Sequence, residues 1–193
     1  MEVLIKNTTN SEIFTTLFQH MKLFTENLNV HFHEDKVFIQ GMDNAHVSVF
    51  EINLPKDWFD EYSLDTQTTI GINTIMLFKV LNTHDKTHSI QLKLESSDSD
   101  KLEIHLLSEN TNVVDLHYAI PLIDIDSEIM SIPETEYQGE ISFPSYTFST
   151  LIDQMKIFGE TFNIICNEEK IQMISESIDC CLLYTSDAAD EHG

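Results

Sequence analysis

The residues equipped for chemistry are nine histidines, three cysteines and 33 carboxylates, and their spacing decides what they can do. His31 and His33 form an H-x-H pair, which on a strand turns both imidazoles to one face. A metal centre needs at least a third ligand, and no motif supplies one. Cys180 and Cys181 are adjacent, which suits neither an ordinary structural disulfide nor the spaced pair of a zinc site; with Cys166 they fit a reducing compartment. Asp124 and Asp126 have the form of paired catalytic carboxylates. They sit in a linker-like stretch without a companion base, where a solvated acidic strand that repels wrong partners and attracts basic ones is the better reading. Five glycines in all leave little room for a phosphate-binding loop, and neither G-x-S-x-G nor H-E-x-x-H occurs. No cofactor, metal or catalysis is expected, and a metal-dependent enzyme stays as the minor alternative.

The elements that would position these residues follow from the apolar periodicity. With 41% hydrophobic residues the chain can bury a core. No run approaches the roughly 18 apolar residues that cross a membrane as a helix, and the N-terminal residues lack the cations-first order of a secretory signal. Glu2–Lys6 reads as a strand. Asn10 and Ser11 offer caps for a helix carrying Ile13, Phe14, Leu17, Phe18, Met21 and Phe24, with Thr15, Gln19 and Lys22 on its polar side. Strands follow near 29–33, 37–42, 46–54 and 68–72, and Asn73 caps a helix to about Leu81. Alternating Ile90, Leu92, Leu94 and Leu102, Ile104, Leu106 read as a hairpin. After a short strand near 113–116 the pattern lapses into a linker from His117. It restarts with a strand at 137–143, a helix opened by Pro144 and Ser145 and closed near Gly159, and strands at 161–166 and 170–174. A strand, a capped helix and antiparallel strands thus recur three times, which predicts an α+β fold with an internal repeat; three unrelated helices in an α+β protein remain the plainer account. Residues 181–193 continue no periodicity and read like a translated sequencing-library adapter, a segment set aside from fold reasoning.

Two segments carry a family likeness. The first runs Ile39, Gln40, Gly41, Met42, Asp43, Asn44, Ala45, His46, Val47, Ser48, Val49 and on through Trp58 to Tyr62. The second runs from Tyr118 through Leu122, Asp124 and Asp126 to Ile132, Pro133, Glu134 and Tyr137. They resemble the central loop and the interdomain connector of the proliferating cell nuclear antigen family, the eukaryotic, archaeal and viral-type DNA sliding clamps, and the likeness spans residues 1–180 in register.

The resemblance implies a sliding-clamp fold: two strand-helix-strands units per domain, two domains per subunit, and three subunits in a ring with helices lining the hole and sheets outside. It implies a first clamp domain at 1–116, a connector at 117–136 and a partial second domain at 137–180, so the chain as it stands is expected not to close a ring. The implied function is that of a DNA polymerase processivity factor and recruitment platform. Its partners would be encircled double-stranded DNA, DNA polymerase, the clamp loader, other proteins with a clamp-binding motif, and itself as a homotrimer when full length. A eukaryotic host would place it in the nucleus, another host in the cytoplasm or a viral replication site. A subunit of a heteromeric checkpoint-type clamp is the alternative within the same fold.

Site residues carry over by position. Met42, His46, Val47 and Val49 would form one wall of a groove for client peptides, and Met130, Ile132 and Pro133 the other, with Leu122, Asp124, Asp126 and Tyr137 along the connector. Lys22, Lys79 and Lys156 would be the DNA-facing cations, while Thr15, Thr16, Asn82 and Asp153 stand where the family usually has more basic residues. A formal charge of −23 argues against DNA binding if it is spread evenly. A ring held by topology answers this, because only its lumen must avoid repelling phosphates.

Overall fold

The computed structural model describes residues 1–96, 99–126, 129–132, 136–137, 141–167 and 170–175, and by backbone also 176 and 181–187. The chain divides into two compact units, Met1–Ser131 and Ile132–Gly193.

In the first unit the order is β1 (Glu2–Ile5), α1 (Thr8–Phe24), β2 (Asn27–Phe32), β3 (Lys36–Met42), β4 (Val49–Pro55), a 3-10 turn at Lys56–Trp58, and β5 (Glu61–Ser63). Then come β6 (Thr68–Asn73), α2 (Thr74–Leu81), β7 (His88–Lys93), β8 (Lys101–Ser108) and β9 (Leu116–Pro121). They build two antiparallel sheets, β5-β1-β7-β8-β9 and β4-β3-β2-β6. The repeats interleave. The first strand of each joins the other's sheet, β1 against β7 and β6 against β2, so neither half can complete its sheet alone. The alternating residues of the strands and the stripes of both helices share one core, including Val3, Phe18, Ile39, Ile72, Leu77 and Ile104. That burial is the main stabilising term.

α1 starts one turn earlier than its sequence suggested. Asn7, not Asn10 or Ser11, is the N-cap, and its side chain accepts from the Asn10 amide. Asn10 instead spends its amide on the Trp58 carbonyl at 2.9 Å, and Ser11 is buried. Thr15 is also inside rather than on a polar face, its hydroxyl donating to the Ser11 carbonyl at 2.9 Å; a cation is not expected there. α2 keeps the expected cap, with Asn73 accepting from the Met76 amide at 2.9 Å.

The linker expected from His117 is in its first part a strand. β9 pairs with β8 from Leu116 to Pro121, whereas Val113 lies in a turn closed onto the Asn110 carbonyl. Leu116, Tyr118 and Ile120 alternate onto the core and Leu122 continues the pattern, so no local break marks where the strand ends and the connector begins.

The second unit carries α3 (Ser145–Met155) followed by the meander β10 (Phe162–Cys166), β11 (Lys170–Glu176) and β12 (Cys181–Asp187). Leu151 and Met155 of α3 are buried with Met173, the same helix-then-meander order as α1, β2, β3 and β4. α3 ends short of Phe158 and Gly159. The adapter-like tail takes part in this sheet: residues 181–187 pair with β11 in unbroken register, seven residues past the limit expected at 180.

Candidate functional site

Met42 ends β3 and pairs in register with Val49, the first residue of β4. The loop between them is organised by Asp43. Its carboxylate accepts from the Val47 and Ser48 amides, both at 2.8 Å, and its own amide donates to the Ser48 carbonyl. His46 takes a positive φ of 57°, which an L-residue adopts only where its surroundings demand it. Its Nδ1 lies 3.1 Å from the Met42 sulfur. The loop thereby leaves Val47 82% and Val49 42% exposed, apolar surface projected outward by a polar scaffold.

The Ser48 amide first, and then the Val47 amide, hold the Asp43 carboxyl below its ordinary range. Because the folded value is the lower one, these bonds are intact above the ordinary carboxylate range and are lost as pH falls through the depressed value. The Val47 and Ser48 amide shifts are therefore expected to stay flat from neutrality past about pH 4 and then move together. A common midpoint at or above the ordinary aspartate value would contradict the role given to Asp43.

The first part of the connector lies against the same sheet. Gly71 of β6 and Asn29 of β2 are register partners, and Gln40 of β3 pairs with Glu51 of β4. The connector contacts this outer face at several points. The Ile123 backbone amide donates to the Gly71 carbonyl at 2.9 Å, the Asn29 side-chain Nδ2 to the Ile125 carbonyl at 3.1 Å, and the Gln40 side chain bonds both backbone groups of Met130. A Cβ on Gly71 would lie 2.1 Å from the Ile123 oxygen, so glycine is required by close approach of a second backbone. Leu122 packs against the core, and Asp124 and Asp126 face solvent.

The structure thus brings Met42, His46, Val47, Val49 and Met130 onto one unit. Ile132 and Tyr137 belong to the second unit, where they are 53% and 82% exposed, and Pro133 lies outside the described residues. Sequence reasoning missed Gln40, Asn29 and Gly71 as the residues that hold the connector. A glycine isolated within an apolar strand was the one available signal.

The lysines are distributed differently. α1 and α2 pack side by side, with the Lys22 ammonium 3.8 Å from the centre of the Phe78 ring, a cation–π contact. Lys79 is exposed in the last turn of α2. Lys156, in the second unit, is the C-cap of α3 and is ion-paired with Asp153. All three sit at helix C-termini, where the helix dipole favours a cation whatever else it does. His31 and His33 stack with ring centres 6.3 Å apart, and burial, then the neighbouring His33, pushes the His31 imidazole down. Among the described residues no group of three or more His, Cys, Asp or Glu side chains is placed to hold a metal, and no helix is long and apolar enough to cross a membrane.

Residues 3–129 match the family described as proliferating cell nuclear antigen, N-terminal domain. The proliferating cell nuclear antigen of Chaetomium thermophilum is 28% identical over 162 residues, which are 84% of this chain and 62% of that protein. That of Saccharomyces cerevisiae is 25% identical over 167 residues, 86% and 64% of the two chains. Among solved structures, the protein from Entamoeba histolytica superposes with a TM-score of 0.84 at 22% identity, covering 97% of this chain and 74% of that one. The one from Thermococcus kodakaraensis gives 0.79 at 18% identity, covering 98% and 74%. The chain therefore spans under two thirds of the length of these curated relatives.

Proposed function

The chain belongs to the proliferating cell nuclear antigen family, and from that premise we propose that it is part of a DNA sliding clamp, a non-catalytic ring that encircles duplex DNA. In this reading it holds DNA polymerase on its template and recruits replication and repair proteins, acts in the nucleus, and at the length of its relatives closes as a homotrimer. Residues 1–116 with β9 form the first clamp domain, and residues from 137 onward belong to the second.

The observation that carries the reading is the helical layer of the first unit. Two interleaved repeats set α1 and α2 against each other with their last-turn lysines, Lys22 and Lys79, on one layer, while the sheets of a chain of charge −23 make the rest. Helices toward DNA and sheets away from it let so acidic a protein surround phosphates without repelling them. The exposed apolar residues Val47 and Val49, beside a connector held down at Met130, suit an anchor-in-groove site for a one-turn helical peptide presenting an aliphatic and two aromatic side chains. Met130 is adaptable enough to serve several clients.

Retention by topology makes a specific prediction. Rings assembled at the relatives' full length and loaded on closed circular DNA are expected to survive a salt wash that strips them from linear DNA with free ends, because few phosphate contacts hold them. Equal loss from both substrates would end the encircling reading.

A further inference from the structure

Gln40 has a structural role that the groove, read as a set of apolar walls, does not use. Its side-chain amide meets a peptide unit as another strand would: Oε1 accepts from the Met130 amide at 2.7 Å and Nε2 donates to the Met130 carbonyl at 2.9 Å. Nε2 also donates to Glu51 Oε1 at 2.8 Å, and Glu51 is the cross-strand partner of Gln40. These contacts fix the amide in one orientation, nitrogen toward Glu51 and the Met130 carbonyl, oxygen toward the Met130 N–H. The contact lies five residues beyond the one Asn29 makes with Ile125. Both ends of this contact lie in the first unit, 90 residues apart in sequence.

We propose that Gln40, oriented by Glu51, is a positioning residue for peptide recognition: it latches the connector at Met130 and so pre-sets the groove before a client arrives. The proposal rests on the groove reading given above. It assigns affinity to a polar residue that touches no client, through the conformational freedom the connector no longer has to lose on binding.

The chemistry offers a test that simple packing would not reproduce. In Gln40→Glu the new carboxylate can still accept from the Met130 amide. It cannot donate, and it faces the Met130 carbonyl and Glu51 with a second negative charge. Two carboxylates so close raise the affinity of the pair for one proton. That proton restores a donor and removes the repulsion, so the latch is broken at neutral pH and reformed in mild acid. Among the described residues the other titratable groups on adjoining segments are His31 on β2, Lys36 on β3, Asp43 and His46 in the loop between β3 and β4, and Asp124 and Asp126 on the connector; each is common to all three variants, so affinities are compared with wild type at the same pH.

The experiment uses the 193-residue chain as wild type, Gln40→Glu and Gln40→Met. The probe is a synthetic peptide that presents one aliphatic and two aromatic side chains on a single helical turn. Affinity is measured by calorimetry at pH 7.5 and pH 5, and exchange of the Met130 amide in the free protein. Relative to wild type, Gln40→Glu is expected to bind about tenfold more weakly at pH 7.5 and to recover most of that at pH 5. Gln40→Met is expected to be weak at both, and the Met130 amide to exchange faster in each weakened state. Wild-type binding with unaltered affinity in Gln40→Glu, or a loss that pH does not relieve, would overturn the latch alone. A wild-type chain that ignores the peptide would instead remove the groove reading, and the latch with it.

Discussion

Gly71→Val is expected to lift the connector from the sheet and destabilise the first unit by about 1–3 kcal/mol, the usual cost of forcing extra methyl groups into a filled space. The position has no room to yield. A Cβ there would meet the Ile123 backbone oxygen at 2.1 Å and two carbons of Ile125 at 3.0 Å. A carbonyl of the main chain cannot swing aside as a side-chain tip can, so either β6 shifts within its sheet or the connector leaves. β6 is held along six register pairs with β2, whereas Ile123 is held to Gly71 by an isolated bridge. The connector is therefore the part that moves. The amides of Ile123 and Met130 should lose exchange protection while those of β2 and β6 keep theirs, and peptide affinity should fall with them. A melting temperature lowered by roughly 2–4 °C per kcal/mol would accompany this. Unaltered protection at Ile123 would show that the bridge is not what seats the connector.

Met42→Ala combined with Val47→Ala is expected to abolish the peptide binding proposed above while leaving the fold intact. Anchor pockets concentrate binding energy in a few side chains, and truncating a residue of that kind costs about 2 kcal/mol or more, roughly 30-fold each. Val47 is 82% exposed and Met42 half-buried, so their loss leaves the core cluster untouched and circular dichroism should be unchanged. The two single variants separate strand from loop: Met42→Ala acts at the end of β3, and Val47→Ala on the loop that Asp43 organises. Calorimetry returning the wild-type affinity for the double variant would remove these residues from the peptide site.

Much of this was legible along the chain. Apolar alternation in β7 and β8, the 3.6-residue stripe of α1 and the Asn73 cap of α2 are local signals, since each depends on residues within one or two turns. They sufficed for the α+β class and pointed to an internal repeat without settling it. Resemblance in two segments pointed to the clamp fold, which the solved relatives share. Met42, His46, Val47 and Val49 were named from the resemblance, and they lie close together because a β-hairpin places near neighbours side by side.

What only the tertiary structure decided lies at long range. The interleaving of β1 with β7 and β6 with β2 joins residues some 40 to 90 apart, and no local pattern encodes which sheet a strand will complete. Asn10 was a plausible cap until the Trp58 carbonyl claimed its amide, and Thr15 looked solvent-facing until the core closed over it. The adapter-like tail shows the opposite limit, since strand pairing of residues 181–187 satisfies backbone groups of any sequence able to extend. The path of the connector is the sharpest case. Gly71, Asn29 and Gln40 read in sequence as a weak strand residue and two ordinary polar ones. They become a seat for the connector only because folding brings a second backbone within hydrogen-bonding distance of that face, and a contact between distant backbones leaves no periodicity in either segment.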